Sequence, residues 1–132
     1  MKTTSLILIG LAASTLAGCA QQYRTADNGP AAPAVRVTGP AQSCIPIHSI
    51  TSSPVRDNRT IDFKTTGRRG FRNTLPYDCP GLRSSNNGFT YETSLTQLCS
   101  TDIIYPLQNY GGSLQRGGGC GLGQFVPVEF ER

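Results

Sequence analysis

Four cysteines, Cys44, Cys79, Cys99 and Cys120, constrain this sequence more than any other feature. Successive members are separated by 34, 19 and 20 residues, and the only histidine is His48. A zinc site needs closely spaced cysteine pairs, so no metal is expected here, and no cofactor either. An even set of cysteines in a chain that leaves the cytoplasm forms disulfides instead. Three connectivities are open. The nested one, Cys79 with Cys99 and Cys44 with Cys120, is favoured because it ties the first and last strands together and staples one internal excursion. Loop-closure entropy gives two such bonds about 3 and somewhat over 4 kcal/mol. About 90 residues follow position 42, few enough for their core to need staples.

Export is written at the amino terminus. Met1 and Lys2 precede an apolar stretch over residues 5–16. That is about a dozen residues, where a membrane span needs roughly 20, so it predicts a secretory signal. Leu16-Ala17-Gly18-Cys19 then resembles the lipobox of bacterial lipoproteins. The resemblance implies cleavage after Gly18 and a lipid on Cys19. Ala20 stands where inner-membrane retention in enteric-type bacteria requires Asp, which implies the periplasmic face of the outer membrane. Two or three acyl chains hold a protein on a membrane, at roughly 0.8 kcal/mol per buried CH₂, whereas one chain binds only marginally. Residues 20–42 read AQQYRTADNGPAAPAVRVTGPAQ, with only Tyr23, Val35 and Val37 as sizeable apolar groups. Such a segment cannot bury a core and is expected to be a flexible tether. The expected organisation is a signal peptide over 1–18, a lipidated Cys19 and tether over 19–42, and one small β domain over 43–132.

Only 37% of residues are apolar and 15% are charged, which excludes a polytopic membrane protein and a coiled coil without reaching the composition of a disordered chain. Within 43–132 the apolar residues recur mostly at every second position, the period of a strand. Thr60-Ile61-Asp62-Phe63-Lys64 places Ile61 and Phe63 on one face, Asp62 and Lys64 on the other. Thr65-Thr66-Gly67-Arg68 supplies a turn, and Phe71, Asn73 and Leu75 then alternate with Arg72 and Thr74. Residues 59–75 therefore predict a β-hairpin. Further strands are expected over 45–50, 88–93, 102–107 and 124–130. Pro46, Pro106 and Pro127 fall in three of them, so those strands should be edges, bulged, or paired only on the side that proline leaves free. Ser94-Leu95-Thr96-Gln97 has capping-box spacing and is expected to start a single helical turn. The fold class is all-β: a small disulfide-stapled barrel or sandwich of about five to seven short strands.

Several pieces of the domain resemble a family of small exported proteobacterial proteins known only as a domain of unknown function. They are Cys44-Ile45-Pro46, Asp57-Asn58-Arg59-Thr60-Ile61, Arg72-Asn73 with Leu75, Cys79-Pro80-Gly81-Leu82, Leu98-Cys99 with Asp102, and Cys120 with Gly123 and Phe125. The resemblance covers residues 43 to about 129 and implies no catalytic residue, because the family has no activity to transfer.

No catalytic residue emerges from the sequence either. Ser49 would face away from its neighbour His48 on a strand, so the two form no dyad, and no nucleophile elbow is present. Asp57, Asp62, Asp78, Glu92 and Asp102 could be paired in many ways, as in any domain with five acids, and Asp57 and Asp78 suit turns. Gly117-Gly118-Gly119-Cys120-Gly121-Leu122-Gly123 is followed by a strand pattern, whereas a phosphate loop opens a helix; its glycines suit a tight turn beside a disulfide. The remaining candidate is basic. Lys64, Arg68, Arg69 and Arg72 put four cations into nine residues around the hairpin turn, in a chain of formal net charge +4. Arginine suits bidentate contact with phosphate or carboxylate, so anionic lipid or peptidoglycan are the expected ligands of the cluster, and the alternative is a solvated hairpin tip that only keeps the domain soluble. Nucleic acid is not an expected partner in this compartment, and Phe71 is the only aromatic close by. The expected function is that of a membrane-anchored, non-catalytic binding or structural module that meets an anionic envelope component or an envelope protein. The alternatives are a small cell-wall hydrolase, and an inhibitor-like protein that blocks a periplasmic enzyme through an exposed loop.

Overall fold

The alternating stretch over residues 59–75 folds as the hairpin it predicts. The computed structural model describes residues 31–85, 88–93 and 95–132. In these, ten strands follow one another: β1 (Val35–Val37), β2 (Cys44–Pro46), β3 (Thr60–Lys64), β4 (Arg69–Thr74), β5 (Phe89–Tyr91), β6 (Gln97–Cys99), β7 (Ile103–Tyr110), β8 (Ser113–Arg116), β9 (Cys120–Gly121) and β10 (Phe125–Phe130). All pairing is antiparallel. A four-stranded sheet runs in the order β1-β10-β4-β3, β2 pairs with β6, and β7 pairs with β5, β8 and β9. The fold is an all-β, disulfide-stapled sandwich with no closed barrel. It has more strands than the periodicity predicts because β1, β6, β8 and β9 have four residues or fewer, too few to display a period.

The core forms where the sheets meet. Ile61, Phe63 and Phe125 from the four-stranded sheet pack with Ile45, Leu98 and Ile104 from the others. The Phe63 ring stands edge-on to Phe125 at 5.5 Å and to Phe89 at 6.1 Å, a favoured aromatic arrangement that ties the layers together.

The sheet begins further upstream than Ser43. Val35, Arg36 and Val37 pair with Phe130, Glu129 and Val128, so the last part of the stretch expected to be a tether over 19–42 is strand. Residues 20–30 of that tether, Cys19 and the signal peptide lie outside the described residues. Residues 45–50 do not form one strand. β2 ends at Pro46, and a 3-10 turn over Ile47–Ser49 follows, with the Ser49 hydroxyl donating to the Pro46 carbonyl at 2.7 Å. No helical turn starts near residue 95; Ser94 itself is outside the described residues. Thr93 Oγ1 accepts from the Leu95 N–H at 3.3 Å and donates to the Gln97 carbonyl at 3.1 Å, leading the chain into β6 instead.

Proline placement follows from its missing N–H. Pro127 lies in β10, an interior strand, and turns its missing donor toward the β1 side, where Thr38 N–H still reaches the Pro127 carbonyl at 2.9 Å. Pro106 turns its own toward Gly117. Just beyond, the register slips by one residue, from Leu107↔Arg116 to Ile104↔Cys120, which is a β-bulge. Gly119 sits in it, because a Cβ there would come within 2.8 Å of the Ile103 side chain and 2.9 Å of the Tyr105 ring.

The disulfides are Cys44–Cys99 and Cys79–Cys120, which overturns the nested pairing. Hydrogen bonds between β1 and β10 already hold the first and last strands, and Cys44 lies directly across from Cys99 in the β2–β6 ladder. The flanking Ser100 N–H donates to the Ser43 carbonyl at 2.7 Å, so the cysteines occupy a non-hydrogen-bonded position, where facing side chains come closest. The two bonds interlock: they span 55 and 41 residues, and each loop contains one cysteine of the other.

Candidate functional site

The hairpin places its four cations differently from one another. Phe63 faces Phe71 across β3 and β4 on the core side, and Asp62 faces Arg72 on the opposite side. That second side is not open to solvent. Asp62 is fully buried, and its carboxylate accepts from Arg56 Nε at 2.6 Å, Arg72 Nε at 2.8 Å and Arg72 Nη2 at 3.0 Å. Arg56 arrives from the segment before the hairpin, held by its own N–H to the Thr60 carbonyl at 2.8 Å and by the Val55↔Ile61 bridge. Arg72 is thus committed to the sheet. Because two guanidiniums serve one carboxylate, the cluster keeps one positive charge.

The other three stand at the end of the sheet. The Lys64 ammonium lies over the Phe130 ring, 5.3 Å from its centroid. Arg68 Nη2 meets Glu129 Oε1 at 2.8 Å, and Arg36 of β1 bonds the other oxygen of the same carboxylate. Arg69 lies opposite Glu129 in the β4–β10 register. Among the described residues no carboxylate lies within ion-pair distance of Lys64, Arg69 or Arg132. Counting side chains, Arg36, Lys64, Arg68, Arg69 and Arg132 face only Glu129 and Glu131 at this end, an excess of three positive charges. The other five arginines of residues 31–132 are matched by five aspartate and glutamate side chains, so the described part of the chain carries its net charge here. Sequence reasoning missed Arg36, Arg56 and Arg132. The Val35-Arg36-Val37 alternation was the available signal for the first.

Two clefts flank this end. One, of about 370 Å³, is lined by His48, Ser49, Thr51, Thr65, Thr66 and Arg69. Three of its four hydroxyls are spent on backbone: Ser49 donates to the Pro46 carbonyl at 2.7 Å, Thr51 to Lys64 at 3.1 Å and Thr65 to Arg69 at 3.1 Å, and that of Thr66 makes no hydrogen bond among the described residues. None of them addresses the His48 imidazole, so no nucleophile and base come together. The other cleft, of about 340 Å³, is lined by Pro33, Ala34, Arg56, Lys64, Phe130 and Arg132, with Glu131 beside them.

The remaining acids are dispersed. Asp57 accepts from the Arg59 N–H at 2.7 Å, Asp78 lies 3.8 Å from Arg59, Glu92 pairs with Arg116 at 2.7 Å, and Asp102 accepts from the Cys99 N–H at 2.7 Å. Among the described residues no group of three or more histidines, cysteines and acids could hold a metal ion, and no helix is long and apolar enough to cross a membrane. A cavity of about 250 Å³ lies beside Cys120, between Tyr77, Asp78 and Pro80 and the glycine-rich backbone; it holds one acid and no cation. No protein-family model, curated protein or solved structure matches the chain.

Proposed function

We propose that the protein is an envelope lipoprotein, anchored through Cys19 to the periplasmic face of the outer membrane, whose domain is a non-catalytic module that binds an anionic envelope component through the basic end of its four-stranded sheet. The observation that carries this reading is the charge distribution. An excess of three positive side chains stands at the end of the sheet where the chain from Cys19 joins it, and the rest of the domain is balanced. Two disulfides are consistent with an oxidising compartment outside the cytoplasm. A tether that enters at the basic end would hold those cations beside the membrane at high effective concentration, so weak contacts would suffice.

The test separates anchor from contact. Cys19→Ser should abolish incorporation of labelled fatty acid and leave unprocessed precursor; normal maturation of that variant would sink the anchor. The unlipidated mature chain, residues 19–132 with Cys19→Ser, should float with phosphatidylcholine vesicles that contain phosphatidylglycerol and stay behind with phosphatidylcholine alone. Arg68→Gln with Arg69→Gln should weaken flotation about fivefold per charge removed. Equal binding to both vesicles, or no effect of the double substitution, would overturn the contact.

A further inference from the structure

The second cleft has the parts of an anion site. The ring of Phe130 forms one wall and carries the Lys64 ammonium above it. Behind stands Arg56, whose Nε is taken by Asp62 at 2.6 Å while its two Nη groups make no hydrogen bond among the described residues. Asp62 cannot neutralise this wall, since it already serves Arg72 through two bonds. Arg132 adds a further cation, against Glu131. A guanidinium edge and a lysine point charge lining one cleft, with Asp62 shared with Arg72, suit a tetrahedral oxyanion.

We propose that this cleft binds the phosphate of an anionic phospholipid headgroup. The assignment rests on the envelope-binding reading above and names its ligand. The membrane is favoured as the source because the cleft is bordered by Pro33 and Ala34, on the chain just before β1. Pro33 is 14 residues from Cys19. Such a length spans about 50 Å at most and about 20 Å on average as a coil, so a lipid on Cys19 would keep the cleft among headgroups.

The full chain in neutral detergent is titrated with glycerophosphoglycerol, the deacylated headgroup of phosphatidylglycerol, while NMR follows the Phe130 ring and the Lys64 amide. A saturable shift at both is expected. Lys64→Gln should weaken it about fivefold, and Arg116→Gln, on β8 and outside both the cleft and the basic end, should leave it unchanged. Equal shifts with glycerophosphocholine, or tighter binding of inorganic phosphate, would overturn the headgroup assignment. No saturable shift while anionic vesicles still bind would overturn the cleft and leave the basic-end reading standing. Headgroup binding without vesicle binding would do the reverse.

Discussion

Val35 lies opposite Phe130 in the β1–β10 pair, so the chain enters the sheet at the same end as the β3–β4 turn. Two features that are far apart in sequence thereby coincide: the entry of the chain into the sheet and the collected positive charge. Here β1, the hairpin turn and the end of β10 share one end of the sheet, and the Glu129 carboxylate ties Arg36 of the first to Arg68 of the second.

The interlocked disulfides predict a specific fragment pattern. Proteolysis without reduction should join the peptides of Cys44 and Cys99 and those of Cys79 and Cys120. Loop closure gives each bond about 4 kcal/mol, so replacing Cys44 and Cys99 with serine should lower the melting temperature by well over 10 °C. Replacing all four should cost more than the two pairs summed, because each bond, while the other is present, closes a loop already shortened and so contributes less than it would alone. Fragments joining Cys44 to Cys120 would contradict the fold.

Asp62→Ala should be among the most damaging single substitutions. It strands the guanidiniums of Arg56 and Arg72 beside a fully buried position, and breaking such a pair costs about 3 to 5 kcal/mol. Replacing Asp62, Arg56 and Arg72 together with apolar residues of similar size should recover most of that loss, which thermal unfolding can measure. A mild effect of the single substitution would mean that water reaches the cluster.

The hairpin was legible because β3 and β4 are long enough to show a period of two and a glycine turn separates them. The fate of its polar side was not. Alternation says that Asp62 points away from Ile61; it does not say that Arg56 from an earlier segment, and Phe130 from the last strand, will cover that side. Disulfide pairing escaped for the same reason, since Cys44 and Cys99 meet through a ladder between two three-residue strands. The local excess of charge at the basic turn is plain in the sequence itself. Which of its members remain available depends on Asp62 and Glu129, and those partners are set by register.

Asn73 gives a pH-dependent test of the core. Its amide donates to the Gly123 carbonyl at 2.7 Å and its oxygen accepts from the Gly123 N–H at 2.9 Å, in a fully buried position. Asn73→Ala should cost about 1 to 3 kcal/mol by leaving both groups unpaired. Asn73→Asp should be worse at neutral pH, because it loses the donor and buries a charge. Burial raises that carboxyl above its unfolded value, so the protonated form, which can both donate and accept, is favoured in the folded state. The variant's deficit against wild type should therefore shrink as the pH falls through the folded-state value and be smallest below about 3.9. Stability of Asn73→Asp equal to wild type at every pH would show that Asn73 matters for its volume alone.

Salt should divide the contacts of the basic end into two kinds. Arg68 and Arg69 are exposed, and the Debye length shrinks from about 30 Å at 0.01 M to about 3 Å at 1 M, so their attraction to an anionic surface should fade across that range. Lys64 and Arg56 are partly buried, and partly buried pairs are screened much less. Flotation of the mature Cys19→Ser chain with phosphatidylglycerol vesicles should fall steeply as salt rises and then level off above zero. Arg68→Gln with Arg69→Gln should lower the steep part and spare the plateau, whereas Lys64→Gln should remove the plateau. Binding that does not change with salt would point to an apolar attachment, and the exposed Val37 at this end would then be the residue to replace next.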